Sequence, residues 1–264
     1  MIGRRRFLAV ALALALIAPW PVAAGETLAA IRAAGELRVG LPGDYAPFAL
    51  VDPGAGKGWR GFDVDVTRAM AAALGVRPVF VATSWPTLMA DLGAGKFDLG
   101  AGGISVTPER AARAMFSAPV LEDGKTALTR CADVARFASL AAIDRPGIRV
   151  ITNPGGTNES FDRARLHDAT ILVFPDNRGI FAALAAGAAD LMITDAAEAR
   201  YQQRHTPGLC AVHPQTPFIV SEKAYLLPRD DAAWRDWVDG FLTQARQSGA
   251  LADWRRRWLG DEEK

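Results

Sequence analysis

The chain has 264 residues, with 30 basic side chains against 29 acidic ones and a formal charge of +1. Such a balance gives no support for a nucleic-acid or anionic-membrane partner, and this length supports one large core or two smaller ones. Two cysteines, Cys131 and Cys210, make a small framework at most, and His167, His205 and His213 have no paired metal-ligand spacing.

Residues 1–24 read as a targeting leader, not as fold. Arg4, Arg5 and Arg6 precede an apolar run over 7–17, Pro19-Trp20-Pro21 ends it, and Val22-Ala23-Ala24 supplies small residues for cleavage. Cleavage is expected after Ala24, and the run is too short for a comfortable membrane span. Arg4-Arg5-Arg6-Phe7-Leu8 loosely fits a twin-arginine signal, so Sec and Tat export both stay open. The expected destination is the periplasm or the exterior of a bacterium. Losing the leader takes the formal charge from +1 to −2, because it carries three arginines and no acid.

Strand and helix patterns then alternate. Residues 37–41 predict a strand, and 64–74 an amphipathic helix with Asp63 as N-cap and Gly75 as stop. Strands at 79–82 and 97–100 flank a helix at 86–92, and Thr107-Pro108-Glu109 opens another, with Pro108 in the tolerated first position. A second series follows, with strands at 148–151, 171–174 and 191–193 and helices at 158–166, 180–186 and 195–205. A late strand at 224–227 and helices at 232–248 and 251–258 close the chain; Pro53-Gly54 and Pro146-Gly147 read as turns. Strands separated by such helices predict α/β architecture with parallel sheets, in two similar lobes. In an oxidising compartment the even cysteine pair suggests a disulfide, since both lie in the second series; two buried free thiols are the alternative.

Several motifs are set aside. Gly93-Ala94-Gly95-Lys96 and Gly54-Ala55-Gly56-Lys57 lack phosphate-loop spacing, and no Gly-x-Ser-x-Gly elbow or Cys/His arrangement occurs. Three strand-to-helix junctions say more. The segment Gly102-Gly103-Ile104-Ser105-Val106-Thr107-Pro108-Glu109-Arg110 offers backbone N–H groups, a hydroxyl and a guanidinium fork to a carboxylate; a capping turn with a solvated arginine explains it equally. Asn153-Pro154-Gly155-Gly156-Thr157-Asn158 is the matching turn of the second series, with glycines that permit close approach, or an ordinary turn. Asp195 and Glu198 follow the strand of 191–193, three residues apart on one helical face. Two carboxylates in a crevice can divide their roles, one ionised and one protonated. The ordinary alternatives are a helix-dipole carboxylate and a surface glutamate. Tyr45 and Trp85 follow the first two strands and either line a cleft or pack as core.

Gly61-Phe62-Asp63-Val64-Asp65, Ser105-x-Thr107-x-x-Arg110 and the Asp195 turn resemble the periplasmic amino-acid-binding proteins of ABC transporters. The resemblance implies a two-lobed, type II periplasmic-binding-protein fold with two crossing strands and a ligand cleft between the lobes. It implies that Arg110 binds a ligand's α-carboxylate, that Asp195 binds its α-ammonium, and that Ser105 and Thr157 add hydrogen bonds. A more extensive likeness covers nearly all of the mature chain. Asp44-Tyr45-x-Pro47-Phe48, Thr83-Ser84-Trp85-Pro86, Asp123-Gly124-Lys125-Thr126, Asn153 through Glu159, Asp190 through Arg200, Cys210 through Pro214 and Glu222 through Arg229 resemble the cyclohexadienyl dehydratase family. These enzymes convert prephenate to phenylpyruvate, or arogenate to phenylalanine, with loss of water and carbon dioxide. The resemblance implies Glu198 as general acid, Asn153 in the active site and no cofactor or metal. Tyr45, Trp85, Gly103, Ser105, Arg110, Thr157 and Asp195 complete the expected substrate site. Gly102 stands where that family has serine. The lobes are expected at 26–126 with 219–264, and at 127–218. The rival expectation is a non-catalytic receptor that delivers an amino acid to an ABC permease.

Overall fold

The computed structural model describes residues 25–51 and 58–260. The leader, the Pro53-Gly54 turn and the Gly54–Lys57 motif lie outside the described residues. Two sheets organise the rest. The first has five strands in the order Arg77–Ala82, Glu36–Leu41, Leu99–Gly100, Leu226–Leu227 and Met115–Phe116. Its first three strands are parallel, and Leu226–Leu227 enters antiparallel between Leu99–Gly100 and Met115–Phe116. The second runs Thr170–Val173, Arg149–Thr152, Leu191–Asp195, Leu121–Arg130 and Leu209–Val212, and Ile219–Lys223 pairs with the other half of Leu121–Arg130.

Both faces of the second sheet are covered, which explains why its strands read as apolar runs. Ile151, Leu128 and Met192 pack with Ile180, Phe181 and Leu184 on one face. Their neighbours Val150, Ala127, Leu191 and Ile193 pack with Phe137, Ile143 and Phe161 on the other. In the first lobe Leu37, Val39, Phe48, Phe62 and Met70 join the closing helices Ala232–Gln247 and Ala250–Leu259 through Trp234, Leu242 and Leu251. Cys131 and Cys210 form a disulfide at one edge of the second sheet. Among the described residues no helix is long and apolar enough to cross a membrane.

The chain passes between the sheets twice, between Phe116 and Leu121 and again between Lys223 and Leu226. The long strand Leu121–Arg130 carries no apolar alternation along Glu122-Asp123-Gly124-Lys125, and the sequence pattern missed it. The expected lobe boundaries at 126/127 and 218/219 fall within this strand and at the start of Ile219–Lys223, both of which hydrogen-bond in the second sheet. The expected cap of the second helix also changes. The helix is Phe62–Leu74 with Gly61 at its N-cap, while Gly75 ends it with φ 72° as expected. Asp63 lies inside the helix, and its carboxylate accepts from the N–H groups of Gly102 and Gly103 at 2.7 and 2.6 Å and from Tyr225 Oη at 3.0 Å. Burial pushes Asp63 up to about 6 against those donors.

Candidate active site

The carboxyl ends of the parallel strands converge where the two lobes meet, the place where open α/β sheets bind ligands. After Glu36–Leu41 comes Tyr45; after Arg77–Ala82, Trp85; after Leu99–Gly100, Gly103 and Ser105. From the opposite lobe, Arg149–Thr152 leads to Asn153 and Thr157, and Leu191–Asp195 ends on Asp195. One pocket is lined by Tyr45, Trp85, Gly103, Ser105, Arg110, Asn153, Gly156, Thr157, Asn158 and Asp195. All eight expected binding residues therefore meet on one wall, with Arg110 and Asp195 supplied by different lobes.

Local structure explains the placement. Thr107 caps the short helix Pro108–Ala111, its hydroxyl accepting from the Arg110 N–H at 3.2 Å. The Arg110 guanidinium is buried and held by the Ser105 carbonyl at 3.0 Å through Nη1. Desolvation lowers its pKa, and the negative charge of Asp195 partly offsets this. Gly102 sits at φ 106° with its N–H on Asp63, a backbone geometry in which serine is strained. At Gly103 (φ 75°) a Cβ would lie 2.6 Å from the Phe48 ring and 2.7 Å from the Tyr45 ring. Trp85 donates through Nε1 to Asp44 Oδ1 at 3.0 Å and meets Tyr45 edge-on at 5.4 Å.

Asp195 is buried and ion-paired from two sides, with its hydrogen bonds gathered on Oδ2 and none on Oδ1 among the described residues. Lys125 Nζ stands 2.9 Å from Oδ1, and both Lys223 Nζ and the Tyr45 hydroxyl donate to Oδ2. Burial alone would raise its pKa, but Lys125 and Lys223 outweigh burial and hold the carboxyl well below its usual range. The negative charge that the family resemblance reserves for a ligand's ammonium is thus already paired with this chain's own lysines. Lys125 also donates to Thr157 Oγ1 at 3.1 Å and to Asn158 Oδ1. Burial pulls the Lys125 pKa down, with Asp195 opposing. The sequence reading assigned neither lysine a role. The available signal was one lysine at Lys125, ahead of the apolar end of Leu121–Arg130, and one at Lys223, directly before the buried run of residues 224–227, because lysine is almost never fully buried without a partner.

Glu198 is the expected site residue that is not on the pocket wall. It is 0% exposed, in the first turn of the helix Ala196–His205. Thr194 Oγ1 donates to its Oε2 at 2.6 Å, and Oε1 has no partner among the described residues. Asn158 Nδ2 donates to Thr194 Oγ1 at 3.2 Å and to Asn153 Oδ1 at 3.3 Å, so a polar chain connects Glu198 to the wall. Burial lifts the Glu198 pKa well above the usual carboxylate range; the Thr194 hydroxyl opposes this, and the Asp195 and Asp44 charges add to it. Two carboxylates three positions apart are thus driven in opposite directions, one ionised and one protonated.

The sequence over residues 37–261 matches the bacterial extracellular solute-binding proteins, family 3, and the chain belongs to that family. The cyclohexadienyl dehydratase of Pseudomonas aeruginosa is 51% identical over 257 residues, 96% of this chain and 94% of that one. Among solved structures, an ancestral amino-acid-binding protein described as a precursor of cyclohexadienyl dehydratase superposes with a TM-score of 0.82 at 30% identity, covering 88% of this chain and 99% of that one. An ancestral cyclohexadienyl dehydratase is 47% identical, with a TM-score of 0.55 over 88% of this chain and 95% of that one.

Proposed function

We propose that this chain is a cyclohexadienyl dehydratase, a carbon–oxygen lyase that converts prephenate to phenylpyruvate or arogenate to phenylalanine. The 51% identical relative supports the reaction class. The observation that carries the chemistry is Glu198, a buried carboxyl with a free Oε1 beside a cationic pocket. A passive receptor has no use for a sealed, protonated acid.

In this reading Glu198 gives its proton to the ring hydroxyl as the C–O bond breaks. The bond to the ring carboxylate breaks with it, its electron pair completes the aromatic ring, and water and carbon dioxide leave. One proton is consumed per turnover, and the Glu198 carboxylate regains it from water before the next. Arg110 fixes a substrate carboxylate bidentately. Tyr45 and Trp85 supply an aromatic wall that disfavours a solvated carboxylate and favours charge dispersal into the ring. Around the pocket Arg110, Lys125 and Lys223 outnumber the one depressed carboxyl, Asp195, and this surplus of positive charge suits a dicarboxylate. The chain acts in the periplasm after residues 1–24 are removed, as the leader pattern supports.

The test is direct. Purified protein incubated with prephenate should generate the absorbance of phenylpyruvate. No turnover, together with tight binding of an amino acid, would replace this reading with the receptor reading.

A further inference from the structure

Lys223 ends the strand Ile219–Lys223 at the second passage between the lobes. Its backbone is pinned on two sides: its carbonyl accepts from the Val120 N–H at 2.7 Å, and it bridges to Ser105. Its side chain is 1% exposed. The ammonium donates to Ser105 Oγ at 2.8 Å and to Asp195 Oδ2, and it lies 5.7 and 5.9 Å from the centroids of the Tyr45 and Phe48 rings. Ser105 and Asp195 are on the pocket wall, but Lys223 is behind it. Such an ammonium is fixed by its strand, its hydrogen bonds and the ring faces together.

We propose that Lys223 is a specificity-determining residue that acts through Asp195: its ammonium occupies the carboxylate that an amino-acid substrate's own ammonium would need. The proposal rests on the dehydratase reading for its two natural substrates. Prephenate and arogenate share the ring and both carboxylates, and differ in a ketone against an ammonium. Arogenate must bring a further cation up to a wall that carries Arg110 and is backed by Lys125 and Lys223, and it finds the Asp195 charge already paired with both lysines. Prephenate brings none. The chain therefore prefers the keto acid. Removing the Lys223 charge leaves Oδ2 with the Tyr45 hydroxyl alone and takes one of two cations from a buried carboxylate, which then seeks a new one. This makes discrimination by occupancy, a repulsive element built against one of two otherwise similar ligands.

The experiment compares the parent with Lys223→Gln, Lys223→Met and Lys223→Arg. One arm measures kcat/KM for prephenate and for arogenate. The other measures, by calorimetry, binding of L-phenylalanine and of 3-phenylpropanoate, which differ only by the ammonium and need no turnover. In Gln and Met the arogenate-to-prephenate ratio should rise about 10–100-fold, the factor for one hydrogen bond to a buried charge. Calorimetry should show the same gain for L-phenylalanine over 3-phenylpropanoate. The arginine variant keeps the charge and should keep the parental ratios. Equal losses for both members of each pair would overturn the proposal, because a merely structural lysine would act on both alike. A shifted ratio in the arginine variant, or failure of both Gln and Met to fold, would also overturn it. A parent inactive on both substrates would remove the dehydratase reading and leave the calorimetric arm to decide this one.

Discussion

Glu198 and Asp195 illustrate how burial and neighbours split one chemical group into two. Lys125, Lys223 and Tyr45 all reach Asp195, whereas Glu198 has one hydroxyl and, among the described residues, no cation within bonding distance. Glu198→Gln should keep the fold and most substrate affinity but lower kcat by about 10²–10⁴-fold, the usual worth of a general acid. Steady-state kinetics and calorimetry on the same preparation check both halves. Arg110→Ala should instead abolish binding, because the group that grips the carboxylate is gone. The pH profile carries the same signature. The Glu198 pKa is raised by burial, so kcat should hold through the acidic range and fall on the alkaline side, with a midpoint above that of an ordinary glutamate. A profile that rises with pH would make Glu198 a base. The wall residues were legible because α/β folds put ligands at strand ends, and Tyr45, Trp85, Ser105, Asn153, Thr157 and Asp195 all follow strands. Lys125 and Lys223 were not, because their meaning depends on a carboxylate 70 and 28 positions away.

At the level of elements, periodicity located the helices and the apolar strands to within a few residues. It missed Leu121–Arg130 because a strand that serves the cleft replaces core side chains with site side chains. Lys125 faces Asp195, Asp123 Oδ1 accepts from the Ala197 N–H at 3.2 Å, and Gly124 lies so close to the next strand that a Cβ would stand 2.1 Å from the Ile219 carbonyl oxygen. Asp63 was misread for a related reason: a carboxylate at a helix start looks like a cap, but this one holds the Gly102-Gly103 turn beneath the pocket. The disulfide joins Cys131, which directly follows Leu121–Arg130, to Cys210 in the neighbouring strand, across 79 positions. Closing a loop of that length is worth about 2–5 kcal/mol. Lys125 lies six residues before Cys131. Cys131→Ser with Cys210→Ser should therefore lower unfolding stability by about that amount while leaving kcat near the parental value at low temperature. Chemical denaturation and steady-state kinetics measure the two quantities, and a lost kcat in a folded variant would tie the disulfide to the site.

At the scale of the whole molecule the lobes are held together by contacts that pattern reading cannot supply. Asn177 Nδ2 of the second lobe donates to the Asp44 carbonyl of the first at 3.0 Å, and a Cβ on Gly155 would stand 2.6 Å from Pro86 Cγ. Several carboxyls are sealed from water inside the lobes, and that links stability to pH. Asp162 is 0% exposed, and neither carboxyl oxygen has a hydrogen-bond partner among the described residues. Burial lifts it from 3.8 to about 8, with Lys125 partly opposing. A carboxyl whose folded pKa is raised binds more protons in the folded state than in the unfolded one. Its contribution is therefore complete below the unfolded pKa and is lost as pH rises through the folded value. For Asp162 that window runs from 3.8 to about 8, and for Asp63 from 3.8 to about 6. Asp195 works in the opposite sense: its depressed pKa stabilises above the ordinary carboxylate range, and that stability is lost as the solution becomes strongly acidic. The protein should thus be most stable in mildly acidic solution and weaken towards mild alkali. Between about pH 6 and about pH 8 Asp63 has finished titrating and Asp162 has not; Glu198, also raised by burial, is common to parent and variant, so the difference between the two proteins isolates Asp162. Asp162→Asn keeps the shape and cannot ionise. Denaturant unfolding at the two ends of that interval should show a marked loss of stability in the parent and a much smaller one in the variant. Equal slopes in the two proteins would mean that Asp162 does not carry the pH dependence.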